Sequence, residues 1–428
     1  MRAVSVALLV SIAAAAPAAA QNGSDPARQN TGQTNGAPVD DNAISTQTGL
    51  LHEPGVIGQA VTMANRWLGE SGAVPRDGFY PDFGNMITGA GWISAGPGYR
   101  QRLFGGHAFV DGSAAISWRA YKMAQARFEL PTLAGNRLAV GTQVRWQDLT
   151  QVNYFGIGAD SQNSSQSQYR LKDTDVVGYG SYRANEWLSV GGTIGRLQQP
   201  TLSSPTGPFQ GSWPATSQVF PQDPGVASQP SFLHGSASIV ADTRNYPSHP
   251  TSGGLYRSGF AMYSDRDGGQ FSFRRYDVEG LQIVPVKGDT WILAMHGWAV
   301  FSSTSSNDQV PFYMLPSVGG QDTLRGYDDY RFHDRNMLLA SAESRWALFR
   351  DVDAVAFFDA GNVAARRGDL NLDKTSWGVG LRVHARRTTF ARLDVGHSVE
   401  GWHVFFKLDD PFALKRLSRR TAEAPFVP

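Results

Sequence analysis

Apolar and polar residues alternate along strand-length segments over most of the chain. Between residues 402 and 408 one face carries Trp402, Val404, Phe406 and Leu408, and the other carries His403, Phe405 and Lys407. Segments at 377–384 and 391–396 place glycine, arginine and aspartate opposite an apolar face. A period of two indicates β-strands. An apolar face opposite a wet face is typical of a membrane barrel, with lipid outside and a polar lumen inside. A soluble sandwich, whose apolar face would be its core, is the alternative.

Three features favour the membrane barrel. Trp346, Trp377 and Trp402 lie at segment ends, as aromatic girdle residues do. Short turns alternate with long polar loops, and closure removes the free edges of a sheet with so many strands. We therefore predict an all-β fold, a transmembrane antiparallel β-barrel of about 16 strands within residues 85–412. The strands are predicted to start near Ile87, His107, Lys122, Leu138, Thr150, Gln168, Trp187, Ser231, Leu255, Phe271, Thr290, Met337, Ala354, Ser376, Phe390 and Trp402.

The two ends of the chain differ from this pattern. Residues 1–20 have a basic start, a short apolar core and an alanine-rich end, which predict a signal peptide rather than a membrane helix. Residues 21–52 lack aromatic side chains, so we expect a disordered linker. Residues 53–84 are predicted to be a short periplasmic or plug segment, and residues 413–428 a basic periplasmic tail. One short helix in the plug segment is predicted from the spacing of Val56, Ala60, Met63, Ala64 and Trp67.

Composition excludes several function classes. A formal net charge of +1 offers no basic stripe, so no nucleic-acid partner is expected. The absence of cysteine excludes disulfides, thiolate metal sites and a cysteine nucleophile. The chain has neither G-x-S-x-G nor H-E-x-x-H, and its 9 histidines show no metal-ligand spacing. We therefore expect no enzyme activity, no cofactor and no metal.

Three ordered motifs follow the eleventh predicted strand. The first is Gly319-Gly320-Gln321-Asp322-Thr323-Leu324-Arg325-Gly326-Tyr327, the second Ala340-Ser341-Ala342-Glu343, and the third Phe357-Phe358-Asp359-Ala360-Gly361. In these motifs the chain resembles the BamA/TamA family of outer-membrane barrels, also called bacterial surface antigens. In that family the sixth extracellular loop carries G-G-x-x-x-[VL]-R-G-[FY] and folds back into the lumen. The run from Asp242 to Pro247, followed by Pro250 to Gly253, also looks like the family's periplasmic turn before the ninth strand.

Side-chain parity supports the same arrangement independently. Asp359 shares a strand face with Val355 and Phe357, opposite an alanine-rich face, and therefore points into the lumen. Glu343 points inward on the preceding strand by the same argument. Two carboxylates on neighbouring inner-wall strands need a cation, which Arg325 would supply through forked hydrogen bonds. An exposed loop arginine is the alternative. The resemblance implies a loop lock in the lumen formed by Gly319, Gly320, Arg325, Gly326, Tyr327, Glu343, Asp359 and Gly361.

The end of the barrel carries a second pattern. Barrels of the outer membrane use a spacing of apolar, glycine and aromatic residues on the last strand as an assembly signal. In this chain the spacing is matched by Val399, Gly401, Val404, Phe406 and Phe412.

The resemblance implies a barrel, located in the bacterial outer membrane, that assists insertion or translocation of proteins or lipids through a lateral seam. Its implied partners are outer-membrane lipid and lipopolysaccharide, client outer-membrane or secreted proteins, and a periplasmic accessory protein. No βααββ repeat precedes the first strand, so we expect a barrel lacking the family's POTRA modules. The alternative function is a passive or gated pore with the sixth extracellular loop as its constriction.

Overall fold

The structure is a computed structural model that describes residues 49–51, 54, 57, 59, 77–83, 93–208, 213–385 and 388–408. Its strands are β1 (Gly78–Phe83), β2 (Ser94–Leu103), β3 (Ala108–Ser117), β4 (Lys122–Thr132), β5 (Leu138–Tyr154), β6 (Ser167–Arg183), β7 (Leu188–Leu197), β8 (Thr201–Ser203), β9 (Phe232–Asp242), β10 (Gly253–Asp265), β11 (Phe273–Lys287), β12 (Trp291–Thr304), β13 (Ser317–Val318), β14 (Phe332–His333), β15 (Asn336–Ala347), β16 (Val352–Ala364), β17 (Lys374–Ala385), β18 (Thr388–Ser398) and β19 (Gly401–Lys407). Short helical turns occur at Leu133–Asn136 and Thr216–Val219, and 3-10 turns at Phe104–Gly106, Asn163–Ser165, Phe312–Met314 and Arg367–Asp369. Within the described part of the chain, none of the helices is long and apolar enough to cross a membrane.

In the described part of the chain, seventeen strands form one antiparallel sheet. Sixteen of them build the barrel wall, each pairing with the next wall strand along the chain, from β1–β2 to β18–β19. The remaining strand, β8, is a short addition to the end of β6. The separate hairpin β13–β14 lies in the loop between the wall strands β12 and β15. The predicted all-β antiparallel barrel fold is confirmed, and the wall strands in the described part of the chain agree with the expected number of about 16.

The two faces of the wall strands follow the alternation of the sequence. On β18 and β19, Leu393 and Val404 point outward and are exposed, whereas Arg392 and Asp394 are buried on the inner face. Exposed apolar side chains surround a buried polar interior, the reverse of a soluble sandwich. This distribution selects the membrane barrel over the sandwich that period-two alternation leaves open.

Two predicted strand boundaries are wrong. Thr150 does not begin a strand, because β5 continues through it to Tyr154. Conversely, β1 lies at Gly78–Phe83, within the segment assigned to the plug and ahead of the expected start at residue 85. The strand predicted to start at Thr150 does not exist, and β1 was not predicted. These two errors compensate in the count, so the later wall strands have the predicted order numbers. Ile87, residues 1–48 and residues 409–428 lie outside the described residues, and of the predicted helix only Ile57 and Gln59 are described, both as helical.

Apolar cores fill the barrel near its long loops. One cluster joins the ends of β5 and β6 to the loop residues Phe312, Tyr313 and Met314. A second cluster places Leu324 and Tyr327 against wall residues of β12, β15 and β16. Burial of these loop side chains stabilises a loop that folds inward rather than extending into solvent.

Candidate functional site

The loop between β12 and β15, residues 305–335, enters the barrel and is called L6 below. Its hairpin β13–β14 pairs Ser317 with His333, and the segment between these strands carries the arginine motif. Gly319 and Gly320 have φ angles of 120° and 97°, a region that residues with a Cβ rarely adopt. A Cβ at Gly320 would also lie 2.2 Å from Oδ1 of Asp329. The two glycines therefore permit the tight turn that directs L6 into the lumen.

Arg325 bridges the two inward carboxylates. Its Nε and Nη2 donate to Asp359 Oδ2 and Oδ1 at 2.9 and 2.8 Å, and its Nη1 donates to Glu343 Oε2 at 2.7 Å. The backbone N–H of Arg325 donates to the same Asp359 carboxylate at 3.2 Å. The guanidinium carbon lies 3.6 Å from the ring centroid of Phe357. A planar guanidinium is thus held by a fork of charge-assisted hydrogen bonds and by an aromatic face.

Glu343 also binds two arginines of the wall. Arg345 donates to Glu343 Oε1 at 2.7 Å, and Arg382 donates to Oε2 at 3.1 Å. Arg382 in turn donates to Asp394 Oδ1 at 2.6 Å. Each of these side chains is buried. Buried charges are tolerated only when they are paired and hydrogen-bonded, so Arg325 completes a charge network that extends from β15 to β18.

Glycines of the wall let L6 approach the strands closely. A Cβ at Gly396 would lie 1.4 Å from the carbonyl oxygen of Arg325, whereas one at Gly361 would make only an ordinary contact with L6, 3.5 Å from Leu324 Cδ2. On the loop itself, a Cβ at Gly326 would lie 2.7 Å from Ser376 Cβ. The Gly326 carbonyl accepts a hydrogen bond from Ser398 Oγ. Glycine inside a strand often marks such an approach of another backbone.

Tyr327 and the segment after it hold L6 against the wall. Tyr327 is buried in the second apolar cluster and contacts Phe332 edge-to-face, with ring centroids 5.4 Å apart. Arg331 donates to both carboxylate oxygens of Glu400, in the turn before β19, at 2.9 and 3.0 Å. It also donates to the Ser161 carbonyl at 2.7 Å. L6 therefore joins the last strands to the loop between β5 and β6.

The tip of L6 reaches the last two strands. Asp322 accepts from Arg392 Nη2 at 2.6 Å and from Lys407 Nζ at 2.5 Å. Arg392 Nη1 also donates to the Gln321 carbonyl at 3.1 Å. Ion pairs at the tip thus tie the loop to both β18 and β19.

The proposed assembly-signal residues lie on two kinds of element. Gly401, Val404 and Phe406 are on β19, with the two apolar side chains exposed on the outer face. Val399 was predicted to lie on the last strand, but it lies in the two-residue turn before that strand, where it is 90% exposed. That turn connects β18 to β19 directly, so the strand pairing starts only at Gly401. Phe412 lies outside the described residues.

The structure brings together all eight residues of the predicted lock and adds five residues that the predicted lock did not include. The added residues are Arg345, Phe357, Arg382, Asp394 and Gly396. Alternation alone places each of them on the inner face. The signal that could have identified the docking place is a run of inward glycines, Gly378, Gly380 and Gly396, opposite an otherwise apolar face.

The fold and the infolded loop define an outer-membrane β-barrel of bacteria. A family model described as the Omp85 superfamily domain matches residues 103–396, and the chain belongs to this superfamily. No curated protein matches the chain significantly.

Two solved structures show the same fold at low sequence identity. BamA from Haemophilus ducreyi lacking POTRA domains 1-3 has a TM-score of 0.58 and 16% identity, over 78% of this chain and 69% of that chain. CdiB from Escherichia coli has a TM-score of 0.50 and 15% identity, over 82% of this chain and 69% of that chain.

Proposed function

We propose that the protein assists insertion or translocation of proteins in the outer membrane through a lateral seam between β1 and β19. The observation that carries this proposal is the attachment of L6 to the last strands. Asp322 binds Arg392 and Lys407 on β18 and β19, and Arg331 binds Glu400 between them. Because L6 is bound to β18 and β19, it would hold these strands in place while β1, on the other side of the seam, moves away. The proposed role is non-enzymatic.

The pairing at the two ends of the sheet supports this proposal. Among the residues that the structure describes, six pairs join β1 to β2, seven join β18 to β19, and fifteen join β5 to β6. In the β1–β2 ladder Pro81 lies opposite Pro97, and proline has no N–H to donate. Short strands with few donors separate more readily than long ladders, and an exposed edge accepts a client strand by β-augmentation.

A crosslink across the seam tests the proposal. The chain has no cysteine, so introduced cysteines react without competition. Phe79 on β1 and Val404 on β19 both face outward, with 86% and 65% exposure. We expect a bifunctional thiol crosslink between Phe79→Cys and Val404→Cys to reproduce the outer-membrane proteome change of a deletion strain, measured by quantitative mass spectrometry.

The matched control joins Val395→Cys to Val404→Cys, which face each other in the β18–β19 ladder. This crosslink leaves the seam free and should preserve function. An unchanged proteome in the deletion strain, or full function of the seam-crosslinked protein, would refute the role. The proposed partners are client outer-membrane or secreted proteins and a periplasmic accessory protein, with lipid and lipopolysaccharide around the wall. A photoreactive residue at position 79 should capture such clients.

A gated pore is the second candidate function, and the burial of L6 in the lumen favours it. Leu324, Arg325 and Tyr327 each have 3% exposure or less, so the loop obstructs the passage. Planar-bilayer recording should then find low conductance for the wild type and higher conductance for Arg325→Ala. Equal conductance of the two proteins would exclude L6 as the constriction.

A further inference from the structure

Two histidines and an aspartate meet at the end of the barrel opposite the connections of L6. His249 comes from the turn between β9 and β10, Asp353 lies near the start of β16, and His384 lies near the end of β17. All three side chains are buried, with 2%, 4% and 1% exposure. The three residues are far apart in the sequence, so no local motif predicts that they lie close together.

The three side chains place their potential ligand atoms close together. Asp353 Oδ1 lies 3.2 Å from Nε2 of His384, and Asp353 Oδ2 lies 3.6 Å from Nε2 of His249. The two imidazole rings are stacked, with centroids 4.0 Å apart and planes 15° apart. One potential ligand atom from each residue lies within 4.8 Å of the other two. Binding of one ion would require the rings to turn from this stacked arrangement until their in-plane nitrogen lone pairs converge.

A second set of contacts orients the cluster. Nδ1 of His249 lies 2.9 Å from Thr389 Oγ1, and the Thr389 N–H donates to the Ser248 carbonyl at 3.2 Å. Thr389 faces His384 across the β17–β18 ladder, beside a register shift. When Nδ1 donates to Thr389, Nε2 directs its lone pair at Asp353. Metal-binding histidines in proteins have this type of partner on the second ring nitrogen.

We propose that His249, Asp353 and His384 bind one Zn²⁺ ion. Two positively charged imidazoles stacked in a buried site would repel each other, whereas one divalent cation accepts both nitrogen lone pairs and neutralises the carboxylate. Imidazole nitrogen and carboxylate oxygen are common zinc ligands, and water completes the tetrahedron. The ion would join the β9–β10 turn to β16 and β17, so that its binding contributes directly to the stability of this end of the barrel.

The proposal is tested on the full, untagged chain in detergent micelles. The protein is first dialysed against a chelator and then titrated with Zn²⁺. We expect one Zn²⁺ per chain by calorimetry and elemental analysis, a higher Tm with Zn²⁺, and no comparable effect of Mg²⁺, which prefers oxygen ligands. His249→Gln and His384→Gln should each weaken Zn²⁺ binding by more than about tenfold. Thr389→Val should weaken it by roughly 10- to 100-fold while keeping the three ligands.

The matched control is His296→Gln. His296 is also buried and also faces a carboxylate, Glu279, at 2.7 Å, but lies outside the cluster. Its variant should bind Zn²⁺ as the wild type does. The proposal is overturned if the wild type fails to bind Zn²⁺ stoichiometrically, a result that requires no variant to fold. It is also overturned if the two ligand variants bind as tightly as the control.

Discussion

The Arg325 carbonyl oxygen lies so close to Gly396 that a Cβ at position 396 would be 1.4 Å from it. Backbone meets backbone here, so the contact has no flexible side chain that could yield. The inner face of β18 must therefore carry glycine at this point for the loop to dock. The same contact brings the Arg325 side chain to Asp359 and Glu343.

Gly396→Ala should release L6 from the lumen. The methyl group and the carbonyl cannot occupy the same space, and overpacking of this kind costs typically about 1–3 kcal/mol. We expect faster protease cleavage within L6 of the refolded barrel. Gly112→Ala is the control, because a Cβ there has its nearest neighbour at 3.7 Å, an ordinary contact. Equal cleavage rates of the two variants would contradict the prediction.

Arg325→Met should destabilise the docked loop by about 3–5 kcal/mol, because it leaves a buried carboxylate without its cation. Glu343 keeps Arg345 and Arg382, whereas Asp359 keeps only neutral donors among the described residues: the backbone N–H of residue 325 at 3.2 Å and the hydroxyl of Ser376 at 3.4 Å. The loss should therefore fall mainly on Asp359.

Double-mutant cycles, followed by urea unfolding, measure the coupling free energy between Arg325 and each carboxylate. Asp359→Asn removes the unpaired charge, so adding it to Arg325→Met should recover part of the lost free energy of unfolding. Glu343→Gln in place of Asp359→Asn provides the comparison and should recover less. Additive losses in both cycles would show that Arg325 is not coupled to either carboxylate.

Tyr327→Ala should expose L6 to hydrogen exchange. The ring is 1% exposed among Leu324, Phe332 and Met337, and replacing a large buried aromatic side chain by alanine costs about 3–5 kcal/mol. Tyr327→Phe keeps the ring and should cost at most about 1.5 kcal/mol. Mass-spectrometric exchange of residues 319–333 distinguishes the two variants. Protection that is the same in both would mean that the ring contributes little to docking.

His333 should make loop docking dependent on pH. Burial lowers the pKa of His333 to about 3, whereas a released loop has a histidine pKa of about 6.5. The docked loop therefore holds the neutral ring, and its stability is lost as pH falls from about 6.5 towards 3, by up to about 1.4 kcal/mol per unit. Above about pH 6.5 this residue contributes no pH dependence.

His333→Phe should remove this contribution while keeping a ring against Tyr154, which contacts His333 with centroids 5.2 Å apart. The measurement is Tm against pH for wild type and variant in the same detergent. The difference between the curves should grow below about pH 6.5. Parallel curves would show that His333 does not titrate with loop release.

Features that depend on local strand geometry could be predicted from the sequence, whereas those that depend on contacts between distant residues could not. Alternation predicted the inward direction of Asp359 and Glu343, because strand geometry has a period of two whatever the surroundings. The start of β1 and the length of β5 were not predictable in this way. In β5 the alternation of buried and exposed side chains ends near Gln147, whereas the strand continues through a register shift to Tyr154. The described part of β1 has 6 residues, too few for a period of two to be clear.

The sequence by itself determined the strand-rich all-β fold and the inward faces of strands such as β15, β16 and β18, since these depend on local periodicity and turn signals. Only the tertiary structure decided which inward residues meet. Phe357 lies beneath the Arg325 guanidinium, Arg382 links Glu343 to Asp394, and Gly396 receives the Arg325 backbone. It also brought His249 to Asp353 and His384 across the barrel end. Such contacts depend on closure of the sheet and on the path of long loops, which no local pattern encodes.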